Sequence, residues 1–297
     1  MKASLHEKML RNAERGVKLN LAGQQLTLKA HVYSDAKPLS SKSELKCARH
    51  MVEVSKKAFG EQETRIAFGD DPISGAKRFF HGDLLHYLFF LETPTGRPVA
   101  YAQVAISEPN QSAYYTSAAI SPTAQGKGTY DLLNVLRAAA CARHLGSSPK
   151  FQVATRTENP KVIMHYSGRG WFPKLANGKV VFNKLHRRGL KESRSAFLLG
   201  RLGASPEPES MHRIDAHANK LYLEGPAEAG TYSAELANVQ PDERAAALLD
   251  QIRVMEKGRR RKFNAAKGDS LYMVTSPANL KKWLASQKSF LKSVFGI

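Results

Sequence analysis

A glycine-rich turn before a long apolar stretch is the first place where residue types and spacing could do chemistry. Gly126 and Gly128 flank Lys127, directly before a segment rich in Ala and Leu. Glycine lets a backbone approach a ligand closely, and the free N–H groups at a helix start favour a phosphate group. Lys127 would add a positive charge. The turn is therefore a candidate pyrophosphate site, and the same pattern alone is equally typical of an ordinary loop before a helix.

Two familiar phosphate motifs do not fit this turn. A Walker A loop needs a glycine where Ser121 stands, and Ser or Thr where Gly128 stands. The dinucleotide fingerprint needs three glycines at fixed offsets, which the turn lacks. The ten histidines show no metal-ligand spacing with Cys or carboxylate partners. The sequence therefore predicts neither of these nucleotide sites, and no metal.

A second candidate group lies about thirty residues further along. Asn159 follows a candidate strand, Tyr166 falls in a candidate helix at residues 161–167, and Gly170 precedes Trp171. A tyrosine can donate a proton in a reaction, although a tyrosine on a short amphipathic helix is often a packing residue. The strand predicted at residues 113–120 contains no carboxylate, and the nearest one is Glu108, in the turn before it.

The elements that must position these groups alternate between strand and helix patterns. Apolar alternation indicates strands, and helical spacing indicates helices. This order predicts a mixed α/β domain with one central sheet flanked by helices. The predicted strands are residues 25–33, 86–92, 99–107, 113–120, 151–155 and 180–185, and the helices are 44–59, 72–80, 125–145 and 161–167.

This order and these motifs resemble the GNAT superfamily of acyl-CoA N-acyltransferases, over roughly residues 25–185. The resemblance implies an N-acetyltransferase that moves an acetyl group from acetyl-CoA, or another acyl-CoA, directly to an amine. It implies that Asn159 approaches the pantetheine arm and that Tyr166 protonates the departing thiolate. It further implies that backbone N–H groups at residues 118–120 hold the acyl carbonyl. The implied cofactor-binding residues are Ile120 and Asn159 and, at the pyrophosphate, Gln125, Gly126, Lys127, Gly128, Thr129 and Tyr130. Members of the superfamily that use a carboxylate base often place it on or near the fourth strand, which makes Glu108 the nearest candidate base; a solvent-exposed turn residue is the competing interpretation.

One residue departs from the superfamily's turn. Tyr130 stands where that motif usually has Gly or Ala. Its side chain either crowds the pyrophosphate or points away and packs under the helix. Crowding would favour an alternative function: a structural or nucleic-acid-associated component of a larger assembly, such as a virion, that keeps the fold with weak or no catalysis.

The charge of the chain is strongly positive and unevenly distributed. The sequence has 45 Lys and Arg against 26 Asp and Glu, a formal net charge of +19. Residues 204–250 contain nine acidic and three basic residues, whereas residues 251–297 contain eleven basic and two acidic residues. A basic run occupies residues 258–262. Such a field attracts phosphate groups, so nucleic acid or another anionic partner is a candidate.

These segments predict three parts: an N-terminal helical arm at residues 1–20, a GNAT domain at 21–190 and a C-terminal extension at 191–297. Within the extension, residues 205–210 are predicted as a linker, 244–253 as a helix, 271–275 as a strand and 279–295 as a basic amphipathic helix.

Cys47 and Cys141 are expected to be reduced thiols. No apolar run approaches the roughly 18 residues of a membrane span, and the first 20 residues lack a secretory signal's apolar core. A cytoplasmic location is expected.

Overall fold

The computed structural model describes a large part of the 297-residue chain. The predicted site residue Asn159, the predicted linker at residues 205–210 and residues 244–252 of a predicted helix lie outside the described residues. The described residues are 5–81, 84–109, 111–145, 152–157, 162, 165–166, 169, 171–173, 175–176, 179–184, 221–224, 253–256, 259–262 and 269–296.

Seven helices are described from end to end. Serine and aspartate side chains cap three of them: Ser40 accepts a hydrogen bond from the Ser43 N–H, Asp71 from the Ser74 N–H, and Ser276 from the Asn279 N–H. None of the described helices is long and apolar enough to cross a membrane. The helices are α1 (Leu5–Arg15), α2 (Ser41–Phe59), α3 (Glu61–Phe68), α4 (Pro72–Lys77), α5 (Thr129–Leu145), α6 (Pro277–Ser286) and α7 (Lys288–Phe295).

The described strands form one sheet. Their order is β1-β2-β3-β4-β5-β6-β13-β9-β10-β11-β12, and β7 and β8 pair with β13 and β9. Every pair is antiparallel except β5 and β6, which are parallel. The strands are β1 (Val17–Leu21), β2 (Gln24–Tyr33), β3 (Leu85–Glu92), β4 (Pro98–Ser107), β5 (Ser112–Ile120), β6 (Gln152–Thr157), β7 (Phe172–Pro173), β8 (Leu175–Ala176), β9 (Lys179–Lys184), β10 (Leu221–Glu224), β11 (Arg253–Glu256), β12 (Arg259–Lys262) and β13 (Asp269–Thr275).

Helices cover both faces of the sheet. In β3, Phe89 packs with the core shared by α1, α5, α6 and α7, while Leu88 and Phe90 pack with α2 and α4 on the other face. Because successive strand residues point to opposite faces, a strand buried on both faces becomes an unbroken apolar run. This arrangement explains the densely apolar sequence of β3, in which Leu88 to Leu91 are all fully buried.

The predicted central elements differ from the structure mainly at their ends, but the predicted helical arm is wrong at residues 17–20, which lie in β1, and the helix predicted at 244–253 is wrong at Arg253, which lies in β11. The helix predicted from residue 125 begins at Thr129, because a short 3₁₀ helix (Pro122–Ala124) and two glycines with positive φ precede it. The strand predicted at residues 271–275 is confirmed as β13. The single helix predicted at residues 279–295 is wrong, since Gln287 separates α6 from α7.

Both ends of the chain contribute to the central core. Met9 and Leu10 of α1 are buried in it, as are Trp283 and Leu291 of α6 and α7. Strand β13 lies between β6 and β9. The three-part division of the chain stays a prediction; the described residues add that segments of the first and third parts pack against the second.

Candidate active site

A gap opens in the sheet where β5 leaves β6. The two strands pair in parallel only from Ser112 to Tyr115 on β5, opposite residues 152–155 on β6. From there to Ile120, β4 is the only strand among the described residues that pairs with β5. Thr116, Ser117 and Ala118 are partly exposed, whereas Ser112, Ala113 and Tyr115 of the same strand are buried. The gap therefore offers an extended ligand access to the backbone edge of β5.

A β-bulge marks the point of divergence. Gln103 on β4 pairs with Ser117, but its neighbour Val104 pairs with Tyr115, so Thr116 is an extra residue in β5. The Thr116 hydroxyl donates to the side-chain carbonyl of Gln103 over 2.9 Å, and Gln103 is completely buried. Bulges re-aim the strand next to functional sites. Gln103 thus fixes the residue at which β5 turns away from β6.

Strand alternation directs two N–H groups of β5 into the gap. The Ser121 N–H donates to the carbonyl of Val99 on the β4 side, over 2.8 Å. The N–H groups of successive residues in an antiparallel strand point to opposite sides of the strand. The N–H groups of Ile120 and Ala118 therefore face away from β4. These are the backbone groups that the resemblance assigns to the acyl carbonyl.

The glycine turn lies at the end of β5 beside this gap. Gly126 and Gly128 have φ of 71° and 76°, a region that glycine adopts readily and most other residues do not. A Cβ atom on Gly126 would meet no atom within 4 Å, so the turn is open at that point. The first N–H groups of α5 lack helical acceptors and carry the positive end of the helix dipole. The geometry suits an anionic group such as a pyrophosphate.

Side chains around the turn hold it in place rather than fill it. Gln125 donates through Nε2 to the Ile120 carbonyl over 3.1 Å, and Lys127 donates through Nζ to the Thr123 carbonyl over 3.0 Å. The Thr129 hydroxyl, which is buried, donates to the Ala124 carbonyl over 2.6 Å. These three predicted site residues therefore shape the turn, and its backbone N–H groups remain the groups suited to a ligand.

The C-terminal helix α7 supports the turn from behind. A Cβ atom on Gly128 would lie 3.3 Å from the ring of Phe290 and 3.7 Å from the side chain of Leu21. A Cβ atom at this position would require the Phe290 ring to shift by a few tenths of an ångström. The positive φ and this close packing therefore both favour glycine at position 128.

Tyr166 lies next to the divergence point with its hydroxyl in a dense network. It is 2% exposed, and its ring lies 6.4 Å from that of Tyr115, the last β5 residue paired with β6. Its hydroxyl accepts from Tyr130 at 3.2 Å and from Arg137 at 3.1 Å, and donates to Asn134 Oδ1 at 3.3 Å. The phenol proton is therefore held by Asn134 in this arrangement.

A buried cation lies beneath Tyr166. Arg137 is 2% exposed, its guanidinium stands 4.2 Å from the ring centre of Tyr115, and it donates to Asn134 Oδ1. No carboxylate among the described residues pairs with it. Burial lowers the pKa of Arg137, but the neighbouring phenol groups outweigh that effect and raise it. The site therefore keeps a positive charge against the Tyr166 oxygen.

His165 completes the network as a neutral group. Burial, reinforced by Arg169 and Arg137, lowers its pKa to about 2. The amide of Asn134 donates to its Nε2 over 2.8 Å, which leaves the proton on Nδ1. The centre of its ring lies 4.4 Å from the centre of the Tyr130 ring.

The structure does not bring Glu108 to the gap. Its carboxylate accepts from Nδ1 of His144 over 2.7 Å, near the C-terminal end of α5, and its side chain is 56% exposed. The glycine turn lies at the other end of α5, about 20 Å away by helical rise. This position does not suit a base for a reaction at the gap. No group of three His, Cys, Asp or Glu among the described residues could hold a metal.

Sequence reasoning missed Asn134 and Arg137, although a signal was present. Tyr130, Asn134, Arg137 and Cys141 recur at spacings of four, three and four within an apolar helix. That periodicity places them on one helix face. Polar residues on a buried face need partners, so Asn134 and Arg137 could have been identified as members of a site.

No family profile and no curated protein matches the chain. Among solved structures, the ribosomal-protein-S18-alanine N-acetyltransferase from Escherichia coli is 16% identical, with 55% of this chain and 86% of that chain covered and a TM-score of 0.36. A spermidine N-acetyltransferase chimera from Vibrio cholerae and hSSAT is 12% identical, with 85% and 98% covered and a TM-score of 0.41. An IAA acetyltransferase from Bacillus cereus is 9% identical, with 84% and 99% covered and a TM-score of 0.35. These similarities carry no information about an acceptor.

The strand arrangement confirms the predicted fold class. Strands β1 to β5 form an antiparallel sheet flanked by helices, β6 joins it in parallel, and the two strands separate beside the turn at the start of α5. The described part of the chain therefore has the predicted mixed α/β fold, with one central sheet flanked by helices on both faces.

Proposed function

We propose that this protein is an acyl-CoA-dependent N-acyltransferase that transfers an acetyl group from acetyl-CoA to an amine. The observation that carries the proposal is the gap after Tyr115, which opens onto the glycine turn before α5. An extended thioester can run along the edge of β5 while its pyrophosphate meets the helix N-terminus. A phenol, Tyr166, lies at the point where the two strands separate.

The residues present fit the pyrophosphate. The open space at Gly126 and the free N–H groups at the start of α5 supply hydrogen bonds without a bulky side chain in the way. Tyr130 supports this assignment, because its hydroxyl points to Tyr166 and its ring packs on His165. The side chain that departs from the superfamily's motif is thus directed under the helix and away from the turn.

Transfer would proceed by direct attack. The amine nitrogen forms a bond to the thioester carbonyl carbon, and the carbon–sulfur bond breaks. The N–H groups of Ala118 and Ile120 would stabilise the oxyanion that forms on the carbonyl. The proton lost by the amine would pass to water, since the sequence of β5 contains no carboxylate and Glu108 lies elsewhere.

Tyr166 would protonate the departing thiolate. For this step its hydroxyl proton has to turn from Asn134 Oδ1 towards the sulfur. The phenolate left behind would keep the hydrogen bonds from Tyr130 and Arg137, both of which donate to the same oxygen. A cation at 3.1 Å stabilises an anion strongly in a buried site. The acceptor amine stays unassigned, and we propose Asn159 for the pantetheine arm on the resemblance alone.

The two thiols support the proposed cytoplasmic location. Cys47 and Cys141 are free and buried. Burial raises the pKa of Cys47 to about 12 and also raises that of Cys141, so neither is a reactive thiolate at neutral pH.

Calorimetric titration with acetyl-CoA tests the cofactor site. Gly126→Asp and Gly126→Asn make a matched pair, since Asp and Asn have the same shape, both tolerate a positive φ and only one is charged. We expect micromolar binding by the wild type, and binding by the Asp variant at least about tenfold weaker than by the Asn variant, because the carboxylate repels the pyrophosphate.

Two results would contradict the proposal. Equal affinities of the two Gly126 variants would show that the pyrophosphate does not bind at this turn. A folded wild type that does not bind acetyl-CoA would support the alternative function, a component of a larger assembly without catalysis.

A further inference from the structure

Helix α2 crosses one face of the sheet and runs towards the gap. Its His50 ring meets the Phe90 ring of β3 edge to face, with 5.4 Å between the ring centres. Further along the helix, the Ser55 hydroxyl lies 3.0 Å from the hydroxyl of Tyr101 on β4. Tyr101 in turn pairs with Ala119 of β5, and α2 contacts β5 as well. Since strands lie about 4.8 Å apart and a helical turn advances about 5.4 Å, the turn after Ser55 lies over β5.

Phe59 occupies that turn and is 56% exposed. It follows Ser55 by one helical turn and Val52 by two, so the three side chains lie on the same side of α2. Val52 and Ser55 are buried, whereas Phe59 is the only large apolar side chain among the described residues that is exposed. Isolated apolar residues are common on outward-facing surfaces. Phe59 differs from these because it lies on the side of the helix that packs against the sheet, next to the gap.

The two faces of the gap differ in what occupies them. On the face that α5 covers, Tyr166 and Trp171 are buried in the core, and their ring centres lie 4.7 Å apart. On the face that α2 covers, Ser117 of β5 is partly exposed. The described residues therefore leave the α2 face as the route by which an acceptor can reach a thioester at the edge of β5.

The Ser117 hydroxyl is held in place on this face. The Tyr101 hydroxyl lies 3.0 Å from the Ser117 hydroxyl, as it does from that of Ser55. Burial raises the pKa of Tyr101, so Tyr101 keeps its proton, donates to one serine and accepts from the other. In either arrangement the Ser117 oxygen keeps a lone pair for another donor. Ser117 also precedes Ala118, whose N–H group faces the gap.

We propose that Ser117 and Phe59 form the acceptor subsite, and that the acceptor is an amine with an aromatic substituent. This inference rests on the proposed acyltransferase function and adds the chemical class of its substrate. The Ser117 oxygen accepts an N–H of the amine beside the thioester carbonyl, and the Phe59 ring packs against the aromatic substituent. Because neither residue is charged, the subsite selects its acceptor by hydrogen bonding and apolar contact.

Steady-state acetylation of phenethylamine and ethylamine by the full chain, with acetyl-CoA as donor, tests the subsite. The two probes differ by one phenyl group. We expect the wild type to prefer phenethylamine by at least about tenfold in kcat/KM, and Phe59→Ala to reduce this preference to less than about threefold. Phe59→Leu keeps an apolar side chain and should retain an intermediate preference. Phe295→Ala removes a ring of α7 and is the control, with the preference of the wild type.

Ser117→Ala tests the polar end of the subsite. It should lower kcat/KM for both probes by about tenfold and leave the preference for phenethylamine in place, because the lost hydrogen bond serves the amine that both probes share. The affinity for acetyl-CoA, measured by calorimetry, should stay within about twofold of the wild-type value in both Ser117→Ala and Phe59→Ala.

The results that would overturn the inference differ from those that would overturn acyl transfer. A wild type without a preference for phenethylamine, or a Phe59→Ala variant that keeps it, would exclude Phe59 from the subsite while the acyltransferase function stands. Wild-type kcat/KM in Ser117→Ala would exclude Ser117 in the same way. A wild type that binds acetyl-CoA but acetylates neither probe would exclude aromatic amines as acceptors. A folded wild type that does not bind acetyl-CoA would overturn both the proposed function and this inference.

Discussion

The hydroxyl of Tyr130 donates a hydrogen bond to the hydroxyl of Tyr166, with 3.2 Å between the two oxygens. This bond links the residue that departs from the superfamily's turn to the residue proposed as the acid. Burial raises the pKa of Tyr130 well above its usual value, so Tyr130 keeps its proton and remains a donor. Together with Arg137, it prepares the Tyr166 oxygen to carry negative charge.

Tyr166→Phe should lower kcat for acetyl transfer by about 100-fold, because the thiolate loses its proton donor. The affinity for acetyl-CoA, measured by calorimetry, should stay within about threefold of the wild-type value, because Tyr166 gives up its proton only after acetyl-CoA has bound. Tyr130→Phe is the matched comparison and should lower kcat by less than about tenfold, because it removes only one hydrogen bond to the Tyr166 oxygen. A Tyr166→Phe enzyme with wild-type kcat would exclude the acid role.

Phe290→Ala should destabilise the protein and weaken acetyl-CoA binding, because its ring packs against Gly128. We expect a loss of about 2 to 3 kcal/mol in the free energy of unfolding, below the usual cost for a fully buried phenylalanine. Phe295→Ala removes another partly buried ring of α7 and is the control. Urea unfolding and calorimetry measure both quantities. If the two variants bind acetyl-CoA equally well, α7 does not support the turn through Phe290.

Glu108→Gln should leave kcat for acetyl transfer unchanged, because the carboxylate pairs with His144 away from the gap. The free energy of unfolding should fall by no more than about 1 kcal/mol, because the Glu108 side chain of this pair is largely exposed to solvent. Steady-state kinetics over a range of pH provides the check. A large fall in kcat together with loss of the acidic limb of the pH profile would restore Glu108 as the general base.

The protein should lose stability as the pH falls from 7 to 5. Burial lowers the pKa of His86 to about 4, so this histidine stays neutral in the folded state while the unfolded chain takes up a proton near pH 6.5. The contribution of His86 to the free energy of unfolding is therefore fully present above about pH 6.5 and is lost as the pH falls towards 4. At pH 5 this loss is about 2 kcal/mol.

Urea unfolding at the two pH values measures this effect. His86→Gln should remove about 2 kcal/mol of the difference between pH 7 and pH 5. The wild type should show a larger total difference, since burial also lowers the pKa of His165. An unchanged pH dependence in the variant would show that His86 is accessible to protons in the folded state.

The sequence by itself determined the elements and the turn. Apolar alternation and helical spacing are local properties, so the central strands and the helices that cover them were predicted close to their observed positions. Gly126 and Gly128 were recognised because a tight turn before a helix requires a positive φ, which is a property of the residue itself. The candidate role of Tyr166 came from the resemblance to the GNAT superfamily.

Only the tertiary structure decided which side chains meet. Arg137 and Asn134 reach the Tyr166 oxygen, and Glu108 instead reaches His144, because helix α5 crosses the sheet at one particular angle and register. Strand β13 pairs with β6 although the two are far apart in the chain. Such contacts depend on how distant segments close against each other, and no local period encodes that choice.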